Sequence, residues 1–268
     1  MSPRRAWNAL ALPRTCADCP VNRAAVCRAF LPDALHIPAA LKRGDRVVRA
    51  GEFLLEQGQA YDGLYHLLDG WAAVSEYTNT GKRCILDILL PGSFIGYQSS
   101  VREPAAYTVE ALTPCSFCVY PRQGFANAVQ QYSRLGTALI ETTAAQRDRG
   151  QLRLAELGRH GGRGRLALLL LDIYERTKRF APTYVSGIRC TIPLTHDQMA
   201  DAAFMSRIHL HRHLRGLREA GVLAYSGWVF DFIDLPGLRA IAEGVGPAAP
   251  RNKERSTPCR PMTIVIHE

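Results

Sequence analysis

The sequence predicts an α+β protein in which a domain of short strands is followed by a long helix and then by a second domain, helical first and β afterwards. Three observations predict this class. Glycines separate short apolar runs between residues 46 and 121, which is typical of antiparallel strands joined by turns in a sandwich or barrel. From Arg122 to Leu157 there is no proline, and apolar residues recur with helical spacing. After residue 165, a helix-capping motif precedes two short apolar runs.

The composition indicates a globular chain with a polyanionic partner. Its 268 residues are enough for two ordinary domains, and 47% hydrophobic with 21% charged residues is typical of soluble proteins. A formal net charge of +9 favours nucleic acid as the partner, or less often a membrane surface. A generally arginine-rich proteome is the alternative explanation of this charge.

The N-terminal sequence and the lengths of the apolar runs indicate where in the cell the protein is located. No run approaches the ~18 apolar residues of a membrane span, and Pro13 and Arg14 interrupt the short apolar stretch near the N-terminus, so we predict no signal peptide. We therefore expect a cytoplasmic protein with no membrane partner. In that reducing compartment the eight cysteines are expected to be thiols or metal ligands rather than disulfides.

The first two segments differ in character. Residues 1–45 form a cysteine-rich N-terminal segment. Residues 46–121 form the predicted β domain, in which glycines occupy the turns. Its apolar runs are assigned to strands over 53–55, 64–68, 72–74, 85–90 and 117–120.

Residues 122–158 are predicted to form one long helix. Residues spaced three or four apart make a narrow, mostly apolar stripe, which on a helix of this length is typical of a two-stranded coiled coil. We therefore expect a dimerisation helix and a homodimer; packing of the stripe against the chain's own β domain is the alternative. The stripe turns polar at 146–149, which would make dimerisation conditional. Its members are Leu135, Ala138, Leu139, Thr142, Ala145, Gln146, Arg149 and Leu152.

Four glycines after this helix predict a break between two domains. Gly158, Gly161, Gly162 and Gly164 are expected to end the helix and to form a hinge. The second domain is predicted over 165–243. The tail over 244–268, which contains prolines and mixed charge, is expected to be disordered.

Two N-caps predict a helix pair in the second domain. Thr195 and Gln198 have the spacing of a capping box, and Ser206 is a second N-cap candidate. Helices are therefore expected over 197–202 and from residue 206 to about residue 220, where Gly221 stands at the expected C′ position. Two short apolar strands, over 222–225 and 228–233, then predict a hairpin around Ser226 and Gly227.

The second helix of this pair has one apolar and one cationic face. Leu210, Leu214 and Leu217 have the spacing of a buried face. The opposite face carries side chains that can reach base edges in the major groove, since arginine bonds bidentately to guanine. The hairpin then acts as a wing; an ordinary helical hairpin with solvated charges is the alternative. The candidate DNA-binding residues are Thr195, Ser206, Arg207, Ile208, His209, His211, Arg212 and Arg215.

Four segments in this order resemble the Crp/Fnr superfamily of transcription regulators: 51–58, 65–70, 90–96 and 194–223. The resemblance covers about residues 15–243. It implies a jelly-roll β-barrel sensor domain of the cyclic-nucleotide-binding-like type, a dimerisation helix and a C-terminal winged helix-turn-helix. It also implies a regulator rather than an enzyme, with double-stranded promoter DNA, a second copy of the chain and RNA polymerase as partners.

Departures from the family pattern narrow this expectation. The cyclic-nucleotide branch carries Gly-Glu and later Arg-Ser, whereas here Tyr97 replaces the glutamate and residues 105–106 are both alanine. We expect no cyclic nucleotide, because its phosphate would lack a cationic partner. The glutamate, serine and arginine of the Fnr recognition helix correspond to Ile208, His211 and Arg212. Since only the arginine matches, the Fnr half-site is not carried over.

Three cysteines fall within twelve residues near the N-terminus and can converge on one centre. A cubane iron–sulfur cluster needs four thiolates. The spacing is similar to that of the oxygen-sensing Fnr and FnrN-type regulators, whose fourth ligand ends a barrel strand before a proline. The resemblance therefore implies a [4Fe–4S] cluster, with Cys115 a near and Cys84 a distant alternative for the fourth ligand. The implied ligands are Cys16, Cys19, Cys27 and Cys118.

Other interpretations of these residues remain open. The cysteines can instead hold zinc, form a thiol–disulfide switch through Cys16 and Cys19, or stay unliganded. A thiol–disulfide oxidoreductase is a distant alternative, because the first Cys-x-x-Cys pair is not set between a strand and a long helix. His209 and His213 have the spacing of a metal-binding pair, but we expect them to contact DNA or solvent.

Overall fold

The computed structural model describes residues 15–31, 34–77, 81, 83–97 and 103–244. The predicted disordered tail, apart from its first residue, lies outside the described residues. In the described part of the chain, no helix combines the length and the apolar character needed to cross a membrane.

The N-terminal segment packs onto the β domain and the helix that follows it. It contains a 3₁₀ helix (Ala25–Phe30) and helix α1 (His36–Leu41). Val26 and Phe30 are buried in one apolar cluster with Leu135 and Leu139. The segment that carries three of the cysteines is therefore fixed by burial of its apolar side chains.

The β domain consists of two four-stranded antiparallel sheets, ordered β1-β8-β3-β6 and β2-β7-β4-β5. The predicted strands are confirmed with slightly longer bounds, while three strands were missed. Of these, β1 is mostly exposed, β6 has two residues and β7 has four, so none carries a long apolar run. The strands are β1 (Gly44–Val48), β2 (Phe53–Leu55), β3 (Gly63–Asp69), β4 (Ala72–Tyr77), β5 (Arg83–Leu89), β6 (Phe94–Ile95), β7 (Thr108–Ala111) and β8 (Cys115–Pro121).

A glycine at the turn between β5 and β6 allows the N-terminal segment to approach the barrel. Gly92 has a φ of +91°, which favours glycine because other residues strain there. A Cβ at this position would lie 2.9 Å from the Cβ of Ala24. The turn therefore needs glycine for both its backbone conformation and its contact.

The single helix predicted over 122–158 is wrong: the structure has two helices, α2 (Arg122–Gln131) and α3 (Ser133–Arg159). Tyr132 separates them in an extended conformation, and its ring lies edge-on to Phe30 at 6.2 Å. The break lets both helices pack on the barrel. The first half of the predicted stripe (Leu135, Ala138 and Leu139) is buried within the chain itself.

The predicted four-glycine hinge is also wrong for three of its glycines. Gly158 lies inside α3, while Gly162 and Gly164 lie inside α4 (Gly162–Phe180). Only His160 and Gly161 connect the two helices. Gly164 is buried, and a Cβ there would lie 3.4 Å from the carbonyl oxygen of Ala242, so this glycine permits close packing rather than ending a helix.

The C-terminal domain combines helices with a small antiparallel sheet of order β11-β12-β10-β9. The predicted hairpin is confirmed, but its strands are shorter, and β9 and β10 extend its sheet. The elements after α4 are a 3₁₀ helix (Pro182–Tyr184), β9 (Val185–Ser186), β10 (Arg189–Thr191), α5 (His196–Ala202), α6 (Arg207–Glu219), β11 (Ala224–Ser226), β12 (Val229–Asp231) and α7 (Leu235–Ala242).

Strand β5 joins the two domains. Arg83 at its start lies 2.9 Å from both Glu110 of the barrel and Asp201 of α5. Asp87 lies 3.1 Å from Arg176 of α4, which also contacts Asp172 at 3.0 Å. Buried apolar residues of both domains form one cluster under these ion pairs. The helix pair is therefore held against the barrel by a continuous core.

Candidate functional site

Helix α5 begins at a complete capping box. The Thr195 hydroxyl accepts from the backbone N–H of Gln198 at 3.2 Å, and the Gln198 side chain accepts from the N–H of Thr195 at 2.9 Å. Two of the unpaired backbone donors at the helix start are thereby satisfied. The prediction of this cap from sequence is confirmed.

The turn between α5 and α6 is tighter than the sequence indicated. Phe204 has a φ of +52°, a conformation uncommon for residues other than glycine. The N–H of Met205 donates to the carbonyl of Ala200 at 3.0 Å, and Arg165 of α4 donates to the carbonyl of Phe204 at 3.2 Å. These contacts fix the angle between the two helices, and no sequence motif indicates them.

Helix α6 separates its apolar and cationic side chains as predicted. Its N-cap is Ser206, whose hydroxyl accepts from the N–H of His209 at 3.3 Å. Leu210, Leu214 and Leu217 are fully buried. The eight candidate DNA-binding residues are all exposed: Thr195, Ser206, Arg207, Ile208, His209, His211, Arg212 and Arg215.

Four of these residues share the outer side of α6, here called the α6 face: Ile208, His211, Arg212 and Arg215. Ile208 is 81% exposed, although isoleucine is usually buried. Arg215 lies 3.6 Å from Glu219, whereas Arg212 forms no ion pair with any residue that the structure describes. The α6 face therefore presents an exposed guanidinium beside an exposed apolar side chain.

The histidines around α6 are not arranged as a metal site. The rings of His209 and His213 lie 6.5 Å apart. His213 is turned towards α4, where burial and, to a smaller extent, nearby arginines lower its pKa to about 4. Burial and the neighbouring His211 also lower the pKa of His196. His196 and His213 are therefore neutral at pH 7.

The four predicted cysteine ligands line one cavity of about 170 Å³, here called the thiol cavity. Cys27 and Cys118 are buried at its base, while Cys16 and Cys19 are half-buried. Among the described residues, no three His, Cys, Asp or Glu side chains lie close enough to hold a single metal ion. The sulfurs thus share a cavity without being gathered at the distances of a single-ion site.

The environment of the thiol cavity disfavours free thiolates. Burial raises the pKa of Cys27 to about 12 and that of Cys118 to about 11. It also raises the pKa of Cys16 and of Cys19. The positive charge of Lys42 partly opposes this effect at Cys118. Ionised sulfurs in this cavity therefore need a bound cation.

The two alternative cysteines lie elsewhere. Cys115 is on the same strand as Cys118, but the alternation of side chains in β8 places it in a different apolar cluster. Its thiol donates to the carbonyls of Trp71 and Thr113 at 3.1 and 3.2 Å. Cys84 pairs with Glu76 in the other sheet. Neither lines the thiol cavity.

Sequence reasoning missed the polar residues other than cysteine that line the thiol cavity, of which three have ionisable side chains: His66, Tyr120 and Lys42. His66 lies directly opposite Cys118 in the pairing of β3 with β8. Its Nδ1 is 3.4 Å from the sulfur of Cys27, and its Nε2 donates to the carbonyl of Gly92 at 3.2 Å. Only Tyr120 had a sequence signal, because it is two residues from Cys118 and therefore on the same strand face.

Comparison with known families assigns both domains. Residues 45–132 match the cyclic nucleotide-binding domain family, and residues 164–241 match the Crp-like helix-turn-helix domain family. The chain belongs to the Crp/Fnr family of transcription regulators. It is a DNA-binding transcription regulator, and its relatives are regulators rather than enzymes.

Individual relatives cover most of this Crp/Fnr chain. It is 28% identical over 79% of its length to the transcriptional activator protein FnrL of Cereibacter sphaeroides, of which 85% is covered. It is 24% identical over 85% of its length to the nitrogen fixation regulation protein FixK of Bradyrhizobium diazoefficiens, of which 93% is covered. The solved structure of FixK2 from Bradyrhizobium japonicum superimposes with a TM-score of 0.67 at 19% identity, covering 76% of this chain and 98% of that one. The similarity to the solved FixK2 structure supports the two-domain fold described above.

Proposed function

We propose that this regulator binds promoter DNA under the control of oxygen or redox state, through a [4Fe–4S] cluster held by Cys16, Cys19, Cys27 and Cys118. The observation that carries the proposal is the thiol cavity, which these four thiols line together. Four thiolates are the donor set of a cubane cluster, which spreads its ligands more widely than a single ion does. The bound cluster would supply an oxygen-sensitive centre and the positive charge that buried thiolates need.

The α6 face is the proposed reader of the major groove. Arg212 is exposed and has no ion-pair partner among the described residues, so its guanidinium can bond bidentately to guanine, and Ile208 can contact a thymine methyl group. Thr195, Ser206, Arg207 and His209 lie at the starts of α5 and α6. Helix N-termini favour phosphate, so these residues are proposed to position the protein on the DNA backbone.

A second stripe on α3 is the proposed dimer contact, since the predicted stripe is partly used within the chain. It follows a heptad spacing and is exposed at both of its large apolar residues, Ile140 and Leu154, each 69%. Arg147 lies in the middle of this stripe and would face Arg147 of a second copy across a two-fold axis. Repulsion between the two positive charges would make dimerisation conditional. The stripe comprises Thr137, Ile140, Ala144, Arg147, Gln151 and Leu154.

The thiol cavity is linked to the dimer helix through the 3₁₀ helix that lies between them. The 3₁₀ helix that carries Cys27 packs against α3 through Val26 and Phe30, and Arg28 pairs with Glu141. Fixing Cys27 by metal ligation would therefore hold α3 in one position. Release of Cys27 would shift the population from dimer to monomer. RNA polymerase is the proposed partner of the DNA-bound dimer, and cyclic nucleotide is not expected as its effector.

The experiment is purification of the full chain without oxygen, followed by exposure to air. We expect a coloured protein with four irons and four sulfides per chain, whose colour bleaches in air as the protein shifts from dimer to monomer. DNA fragments selected from a random pool should bind the anaerobic form, and affinity should fall after bleaching. A colourless protein with one zinc per chain, or equal DNA affinity before and after air, would contradict the proposal.

A further inference from the structure

Tyr120 is a buried tyrosine whose hydroxyl faces two thiols. It is 2% exposed, and its hydroxyl oxygen lies 3.5 Å from the sulfur of Cys27. Cys118, two residues earlier in β8, lies on the same strand face and lines the same cavity. A buried phenol needs a hydrogen-bond partner, and the described partner of this one is the sulfur of Cys27, with that of Cys118 on the same side of the strand.

Sulfur is a poor partner unless it is ionised. A thiol sulfur accepts hydrogen bonds weakly, whereas charge-assisted hydrogen bonds are about twice as strong as neutral ones. A phenol carries its proton at neutral pH, whereas a thiolate has none to give, so Tyr120 is the donor in a hydrogen bond between them. The hydroxyl of Tyr120 therefore has its strongest hydrogen bonds when Cys27 and Cys118 are thiolates bound to metal.

The other polar neighbour of Cys27 cannot take this role. A carbonyl oxygen only accepts, so the contact between His66 and Gly92 at 3.2 Å places the imidazole proton on Nε2. The ring is 1% exposed and no carboxylate is among its described hydrogen-bond partners, so it carries no charge. Its Nδ1 thus faces Cys27 as an acceptor. Of the two side chains, Tyr120 alone can donate to a Cys27 thiolate.

We propose that Tyr120 is a positioning residue of the metal site, whose hydroxyl is a shared hydrogen-bond donor to the thiolates of Cys27 and Cys118. The inference rests on the proposed function. Outer hydrogen bonds of this kind orient ligands and tune the metal, and their loss typically costs about 10–100-fold in metal affinity. A donor to ligand sulfur also stabilises the more negative, reduced state, so it raises the reduction potential.

The test compares Tyr120→Phe with Tyr65→Phe in full chains purified without oxygen. The first change keeps the ring packing against Phe125 at 5.9 Å and removes only the donor. Tyr65 is equally buried, but its ring packs on Phe117 at 6.4 Å in the other core cluster. The readouts are iron release to a chelator, the midpoint reduction potential and thermal unfolding of the metal-free proteins.

We expect Tyr120→Phe to lose iron about 10-fold or more faster than wild type and to have a more negative potential. The metal-free proteins should unfold alike, and Tyr65→Phe should match wild type in every readout. If Tyr120→Phe does not fold, ring-fluorinated tyrosine at position 120 is a stronger donor and should move the potential the other way.

Two different failures are distinguishable. Wild type that takes up iron while the position-120 substitutions leave iron release and potential unchanged would overturn the role of Tyr120 alone. Iron release that is as fast in Tyr65→Phe as in Tyr120→Phe would also overturn the role of Tyr120. Wild type that takes up no iron would overturn the proposed cofactor and this inference with it.

Discussion

The α6 face and the thiol cavity are built in opposite ways. The α6 face comes from one continuous helix with its own cap, and its functional side chains are exposed. The thiol cavity joins the N-terminal segment to strands β3 and β8, and its innermost groups are buried. One site thus follows from local rules of helix formation, and the other exists only after the chain has folded.

The difference predicts how each region responds to change. Substitutions on the α6 face should alter binding with little effect on stability, because the side chains contact solvent. Substitutions of the four cysteines in the thiol cavity should abolish metal uptake rather than weaken it slightly, because a cubane cluster needs four thiolates. The ion pairs and the apolar cluster between the barrel and the C-terminal domain should control the stability of both regions.

The largest effect is expected from the cysteine pair of β8. Cys118→Ser should lose most or all of its iron, whereas Cys115→Ser should retain the wild-type amount, because Cys115 points into the other core cluster. Iron and sulfide assays on anaerobically purified proteins measure this. Equal iron content in the two variants would remove Cys118 from the ligand set.

The next effect concerns the junction between the regions. Arg176 is 12% exposed and contacts Asp87 and Asp172 at 3.1 and 3.0 Å. Arg176→Ala should reduce the free energy of unfolding by about 3 kcal/mol, because it removes the nearest cation from two partly buried carboxylates and leaves Asp87 only Arg149 at 3.9 Å. Arg239→Ala is the control: its pair with Glu175 is exposed and worth about 0–1 kcal/mol. Denaturant titration measures both, and similar losses would contradict a buried junction.

The pH dependence of stability tests the burial of His66. Its pKa falls from 6.5 to about 4 in the folded chain, so the unfolded chain binds a proton first as the pH drops. The contribution of His66 to the free energy of unfolding should therefore be constant above about pH 6.5 and should fall by about 1.4 kcal/mol per unit towards pH 4.

The comparison variant is His66→Gln, measured without metal. His213 adds a slope of the same sign in both proteins, so the difference between their pH profiles isolates His66. Parallel profiles of wild type and variant would show that His66 titrates normally.

A smaller effect is expected at the start of α6. Ser206→Ala removes the cap on the N–H of His209 and should cost about 1 kcal/mol of unfolding free energy. Ser186→Ala, an exposed position in β9, should stay within about 0.5 kcal/mol of wild type. Equal midpoints in denaturant for the two variants would argue against the cap.

These regions also differ in how far the sequence predicts them. The caps at Thr195 and Ser206 and the buried leucines of α6 follow from residues within one or two turns, so they were predicted correctly. The break at Tyr132 depends on packing against Phe30, which lies far away in the chain. The absence of proline and the helical spacing of apolar residues therefore predicted one helix over 122–158, where the structure has two.

The thiol cavity was predicted in part. The clustering of Cys16, Cys19 and Cys27 is local, and period-two alternation in β8 separates Cys118 from Cys115. His66 could not be predicted, because its place opposite Cys118 depends on the register of β3 with β8. The role of Gly164 could not be predicted either. This glycine permits a close contact between helices, and the sequence alone does not distinguish such a glycine from one in a hinge.

The most direct test of the account is DNA binding by wild type, Arg212→Ala and the control Arg239→Ala. Each protein is measured against the selected DNA site, single-base variants of it and shuffled sequence at one salt concentration. The account predicts that Arg212→Ala loses about 1–3 kcal/mol at the selected site and discriminates poorly at one base position, while Arg239→Ala behaves as wild type. Unchanged discrimination in Arg212→Ala would contradict the claim that the α6 face reads DNA.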